Sequence, residues 1–282
     1  MAMLVLAHEA GLPIRVATID HGLRGEAAEE AVLVAEACAR RGIDHATLRP
    51  DPPLATRGNV QARARTARYD LLAAHARSTG CAAILTAHHR DDQAETLLMR
   101  ANRGSGVAGL AGVRTRGEWD GMTVLRPLLD WSRNELAEVA ERAAIAVVHD
   151  PTNRDPAHDR THVRALLAGD RWLDAGGLAR SAAALADAAE ALDWAFAPIA
   201  DARISEVDGV LRVDPADLPR EFRRRLLATA LARLDPSTPR GPDLDRLLAG
   251  LEAGRTATLM GVQASKAGKR WQLSIAPPRR SR

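Results

Sequence analysis

Between residues 85 and 96 the chain reads LTAHHRDDQAET, which brings His88, His89, Asp91, Asp92 and Glu95 into close succession. Imidazoles and carboxylates at this density can hold a cation, move a proton or cap a helix. For Asp91, at the start of a helix-like run, capping the helix and favouring its dipole weighs as much as any chemistry. Asp92 and Glu95 are harder to explain by local structure. Spaced i, i+3, they share one helix face, where like charges cost roughly a few tenths of a kcal/mol. Two carboxylates kept together there point to a cation or a proton to handle. Zinc fits poorly, because adjacent histidines at a strand end send their rings to opposite sides. Magnesium fits better, with Asp92 as its candidate ligand, since it takes one or two carboxylates together with substrate phosphates.

The surrounding sequence says what positions these groups. IRVATID (14–20), DHATLRP, CAAILTAH (81–88) and TVLRPLL read as strands. GEAAEEAVLVAEACARRG (25–42), NVQARARTARYDLLAAHARSTG (59–80), DDQAETLLMRANRG and SRNELAEVAERAAI read as helices between them, and AVVHD as extended. Strands alternating with helices of this length predict βαβ units and a mostly parallel sheet. In such sheets ligands bind beyond the carboxyl ends of the strands. Two polar clusters occupy that position: Asp20, His21 and Arg24 after the first strand, and His88 to Asp91 after the third.

Three further stretches carry polar groups. NRGSGVAGLAGV (102–113) follows a helix, so its glycines are expected to end that helix and form a close turn, with Arg103 available to an anion. RTARY sets Arg65, Arg68 and Tyr69 on a helix, where most arginines are simply solvated. In HDPTNRDPAHDRTHVR (149–164), Asp150 and Asn153 can fix a turn through side-chain bonds to the backbone. Arg160 and Arg164, at i and i+4, offer one helix face to a phosphate.

Past residue 165 the pattern turns helical, and a last stretch, ATLMGVQASKAGKRWQLSIAP, alternates like a short hairpin. A boundary near 168–177 gives domains 1–167 and 168–282. The chain has 282 residues, 27% of them charged, and a net charge of +3 carried on the basic side almost entirely by arginine. Arginine forks suit phosphates, which weakly favours an RNA or nucleotide partner. No apolar run is long enough to span a membrane. No leader is recognisable, and Cys38 and Cys81 match no metal or redox spacing, so a cytoplasmic location is expected.

Together DHGLRGEAAEEA, GNVQARARTARYDLL, TAHHRDDQAETLLMRANRGSGVAGLAGV, LRPLLDWSRNEL and DPTNRDPAHDRTHVR resemble the motif blocks of the tRNA(Ile)-lysidine synthases. These belong to the PP-loop ATP-pyrophosphatase superfamily, and the blocks run in the family's order from about residue 16 to 165. The resemblance implies an α/β fold: a parallel-sheet, adenine nucleotide alpha hydrolase-like domain lacking its first strand, then a smaller, mainly helical domain. It implies that ATP, with Mg²⁺, adenylates the C2 oxygen of the wobble cytidine in an isoleucine tRNA with a CAU anticodon. The ε-amine of free L-lysine then displaces AMP, and the family is often dimeric. It further implies catalytic roles for His88, Asp92 and Glu95. Nucleotide contacts would fall to Asp20, His21, Arg65, Arg103 and Gly104, and tRNA or lysine contacts to Arg126, Asp150, Asn153, Arg160 and Arg164.

Two departures stand out. An Arg-Asn pair of the last block is Arg160-Thr161 here. The family's Ser-Gly-Gly-x-Asp-Ser phosphate loop, expected just before MAMLVLAHEAG, is not among these residues. A polypeptide of these residues alone is therefore expected to bind ATP poorly and to make little lysidine. The rival expectations are a tRNA-thiolating enzyme of the same superfamily, which two scattered cysteines serve badly, and a non-catalytic tRNA-binding remnant. A metal-dependent hydrolase built on His88, His89, Asp91 and Asp92 ranks last.

Overall fold

The computed structural model describes the chain except residues 23–25, 54–59, 146–158, 238 and 278–282. The expected AVVHD strand and the residues Arg24, Asp150 and Asn153 lie outside the described residues. The chain divides into two compact units, Met1–Gly104 with Leu110–Ala184, and Ser105–Gly109 with Leu185–Arg282.

The first unit begins with α1 (Ala2–Glu9), β1 (Val16–Ile19), α2 (Glu26–Ala39), β2 (His45–Leu48), α3 (Val60–Ser78) and β3 (Ala83–Leu85). Then come α4 (Arg90–Asn102), α5 (Val107–Leu110, of which all but Leu110 is grouped with the second unit), β4 (Arg116–Trp119), β5 (Met122–Leu125), α6 (Arg133–Arg142) and α7 (Asp159–Gly169). The expected parallel pairing is present in two separate sheets. β1 pairs with β2 in parallel, and β3 pairs with β5 in parallel in the order β3-β5-β4. β4 was not expected from the sequence. It returns antiparallel onto β5 through Asp120-Gly121, both at positive φ, the two-residue turn that matches strand twist. α3 packs against strands of both sheets. Its Tyr69, Ala73 and Ala76 bury against Ile84, Met122 and Val124, and Tyr69 stacks on Trp119 at 5.1 Å. A separate cluster joins Leu4 and Val5 of α1 to Cys38 of α2 and Val139 of α6.

α8 (Ala175–Arg203) runs from the first unit into the second. The second unit continues with β6 (Ile204–Val207), β7 (Val210–Val213), α9 (Arg220–Leu234), α10 (Gly241–Glu252), β8 (Ala257–Leu259), β9 (Val262–Ala267) and β10 (Arg270–Ile275). The helices and the terminal hairpin are as expected. The addition is a whole antiparallel sheet, ordered β6-β7-β10-β9-β8. The overlooked hairpin, β6–β7, turns on Asp208-Gly209, again with both φ positive. α10 buries Leu244, Leu247, Leu248 and Leu251, the i, i+3, i+4, i+7 stripe of an amphipathic helix. That stripe meets Leu226, Leu227 and Leu231 of α9, and Leu211, Val262, Trp271 and Leu273 of the sheet.

Trp271 is 2% exposed at the centre of this core. Trp271→Ala is expected to cost about 3–5 kcal/mol in urea unfolding of the second unit. A loss well under 1 kcal/mol would show that the sheet does not close on α9 and α10.

Candidate functional site

Helix α4 starts where β3 ends, and its first two turns face inward although they are polar. Asp92, Gln93, Ala94 and Glu95 are all buried, Glu95 to 1% exposure. A carboxylate that far from water needs compensating charge and hydrogen bonds. Three guanidiniums provide them. Arg133 Nη2 of α6 and Arg164 Nε of α7 donate to Glu95 Oε1 at 2.9 and 2.7 Å, and Arg160 Nε of α7 donates to Oε2 at 2.7 Å. Arg160 Nη2 also reaches Asp92 Oδ1 at 3.3 Å. The positive charge called for by the Asp92–Glu95 pair is thus arginine. The Arg160–Arg164 face, expected to meet a phosphate, meets Glu95.

The caps also differ from expectation. Asp92 accepts the His89 backbone N–H at 3.0 Å, closing the start of α4. Asp91 instead accepts the Arg133 backbone N–H at 2.9 Å, so it serves the first turn of α6. α6 has its own capping box, in which Ser132 Oγ accepts the Glu135 N–H at 3.2 Å and Glu135 Oε2 accepts the Ser132 N–H at 2.6 Å. The Ser132 hydroxyl also donates to Oε2 at 2.6 Å, and this bond and the backbone one hold the Glu135 carboxyl below its usual range. Every oxygen of Asp92 and Glu95 therefore has a donor, which does not fit direct ligation of a divalent cation. Among the described residues no group of three or more His, Cys, Asp or Glu is placed to hold a metal ion.

His88 sits just beyond β3, with Nδ1 at 3.0 Å from Thr86 Oγ1. Burial pushes its pKa down to about 4, against the pull of Asp92 and with the help of Arg126, Arg65 and Arg160. The imidazole is therefore neutral at physiological pH. Arg126, directly after β5, is 8% exposed and donates from Nη1 to the Arg114 carbonyl at 2.8 Å.

At the end of β1, Asp20 forms its own closed arrangement. It accepts the Gly22 N–H at 2.9 Å and Arg49 Nε at 2.9 Å, and these bonds, the backbone one foremost, hold its carboxyl below the usual range. Beside it both ring nitrogens of His21 are shielded from solvent without a hydrogen-bond partner among the described residues. Burial, then the Arg68 charge, lower the His21 pKa. Arg65 on α3 lies over its own Tyr69 ring at 5.2 Å.

The glycine-rich stretch is structural, as its place after a helix predicts. Gly104 ends α4 at φ +69°, and Arg103 pairs with Asp159 at the start of α7. At Gly112, φ is +66° and a Cβ would stand 2.4 Å from Gln93 Oε1. That closeness lets the Gln93 amide exchange two hydrogen bonds, each 2.7 Å, with the Val113 backbone.

The structure thus unites Asp92, Glu95, Arg160 and Arg164, and places His88 and Arg126 at adjoining strand ends. Asp20 and His21 stand at β1, while Arg103 and Gly104 stand at the far end of α4. Sequence reasoning missed Arg133. Its only signal was a position next to a capping serine within LRPLLDWSRNEL.

Residues 1–169 match the family model described as a PP-loop domain. A protein of Novosphingobium aromaticivorans named tRNA(Ile)-lysidine synthase is 46% identical over 99% of this chain and 86% of its own length. A protein of Zymomonas mobilis with the same name is 40% identical over the same shares. Among solved structures, the U34-tRNA thiolase NcsA from Methanococcus maripaludis with its [4Fe-4S] cluster superposes with a TM-score of 0.54 at 15% identity. That match covers 66% of this chain and 67% of the thiolase, and it speaks for the fold alone. Cys38, buried on α2, and Cys81, half-buried before β3, are both free. With a PP-loop domain across more than half its length and such likeness over nearly all of it, the chain belongs to the tRNA(Ile)-lysidine synthase family.

Proposed function

We propose that this chain uses ATP to join free L-lysine to C2 of the wobble cytidine in an isoleucine tRNA bearing CAU. The observation that carries the reading is the likeness, over nearly the whole chain, to proteins named for that activity. The C2 oxygen attacks the α-phosphorus of ATP and pyrophosphate leaves. The lysine ε-amine then attacks C2, the C2–O bond breaks, and AMP departs with a proton released from nitrogen. In this reading residues 1–167 carry the chemistry, residues 168–282 hold the tRNA, and two copies form the active particle.

The roles follow from the environments. Glu95 and Asp92 position Arg133, Arg160 and Arg164, whose outward surfaces face the tRNA backbone. Arg160 and Arg133 keep more than two-fifths of their side-chain surface in water, enough to reach a phosphate as well. His88, with a pKa near 4, is a poor proton carrier at pH 7 and serves as a neutral hydrogen-bonding group. Asp20 and His21, with Arg65, belong to the nucleotide side of the site, as do Arg103 and Gly104. Arg126, Asp150 and Asn153 belong to the lysine and tRNA side. Mg²⁺ enters as the counter-ion of ATP, not as a ligand of Asp92 or Glu95.

Incubation with ATP, Mg²⁺ and labelled lysine is expected to label isoleucine tRNA with a CAU anticodon, at whatever rate, and to spare methionine tRNA. Tight tRNA binding with no ATP-dependent labelling would leave the non-catalytic reading. Glu95→Gln is expected to destabilise the first unit by about 2 kcal/mol in urea. Breaking a buried pair costs more, but these arginines regain water in part. An unchanged midpoint would remove Glu95 from its organising role. The depressed His88 pKa sets a sign for acid sensitivity. The unfolded chain takes up this proton from 6.5 downward and the folded one only near 4, so stability falls as pH drops across that window. NMR should find the His88 midpoint near 4, and His88→Asn should flatten the stability loss in that range.

A further inference from the structure

Arg126 is a buried cation that no carboxylate compensates among the described residues. Its Nη1 is committed to a neutral carbonyl, that of Arg114, and its backbone N–H donates to Thr115 at 2.9 Å. Its Nε, shut off from solvent, has no acceptor among the described residues. The contrast with α6 and α7 is sharp, because there every inward guanidinium meets Glu95. Desolvating a guanidinium without an anion is unfavourable.

Its place in the fold says what would relieve that cost. Leu125 is in parallel register with Leu85, and the Thr86 N–H donates to the Leu125 carbonyl at 3.0 Å. Arg126 therefore leaves its strand alongside Thr86, whose hydroxyl holds His88. This is the carboxyl edge of two adjacent parallel strands, where ligands of open α/β sheets bind. On β4, Gly117 is paired with Val124, and a Cβ there would come within 3.3 Å of Arg126 Nη1. The absent side chain leaves room beside that nitrogen.

We infer that Arg126 is an anion receptor of the reaction site, taking a small oxyanion onto the edge of its guanidinium that has no partner. The inference rests on the proposed function for its two sources of such an anion, the pyrophosphate portion of ATP and the carboxylate of L-lysine. Both present paired oxygens that match an arginine fork.

Calorimetric binding of inorganic pyrophosphate, L-lysine and cadaverine, which is lysine without its carboxylate, separates these sources. The full chain is compared with Arg126→Met, which keeps the bulk and loses the charge, and with Arg126→Lys, which keeps the charge and loses the fork. Losing this charged donor is expected to weaken one anion by about tenfold or more. A loss confined to pyrophosphate assigns the nucleotide. A loss for L-lysine with cadaverine unchanged assigns the amino-acid carboxylate. Unliganded Arg126→Met should unfold at the same or a higher urea concentration than the parent, because an uncompensated buried charge has been removed. If that variant does not fold, weakened binding by Arg126→Lys supports the receptor and unchanged binding overturns it. The inference also falls if the parent binds neither anion, or if Arg126→Met binds both as tightly as the parent. Failure of lysine labelling alone overturns the proposed function and leaves the receptor standing.

Discussion

A carboxylate at 1% exposure, as at Glu95, is tolerable only while positive charge stays beside it. That requirement organises the first unit around α4. Arg133 ties α6 to it, while Arg160 and Arg164 tie α7 to it, across 38 to 69 residues of sequence. Asp92 and Glu95 face three guanidiniums, with Asp91 beside them on the Arg133 backbone. What reads as an acidic run in sequence is a mixed ionic cluster in space.

The same helix is fixed by uncharged groups on its neighbouring face. Gln93 exchanges two hydrogen bonds with Val113, much as a strand residue would, and Gly112 supplies the close approach. Asp91 extends the grip to the first backbone N–H of α6. Directional bonds, rather than apolar area, set where the first turns of α4 stand. They also set where His88 stands, since it directly precedes the capping residue.

Much of the fold could be read directly from periodicity. The stripe of leucines in α10, the glycine stops of α2 and α3, and the capping box at Ser132 are local patterns with local causes. The β4–β5 and β6–β7 hairpins were equally local, signalled by Asp-Gly at 120–121 and 208–209, yet short strands beside long helices are easily absorbed into them. The partnership of Glu95 with arginines was not legible at all. Spacing shows that Asp92 and Glu95 share a face, but nothing in i, i+3 spacing says whether a metal, a proton or a guanidinium answers them. Arg133, Arg160 and Arg164 come from other helices, and only tertiary packing selects them. Arg126 was marked by its motif block, while the feature that distinguishes it, a buried nitrogen without an acceptor, exists only in three dimensions.

The Glu95 cluster also constrains how such a chain can change through descent. Replacing Glu95 alone removes the shared partner of three arginines, of which Arg160 keeps Asp92. Substitutions within DDQAET, SRNEL and DRTHVR are therefore energetically coupled, although the stretches lie far apart in sequence. A graft of any one of these stretches into another protein would leave its charged partners behind.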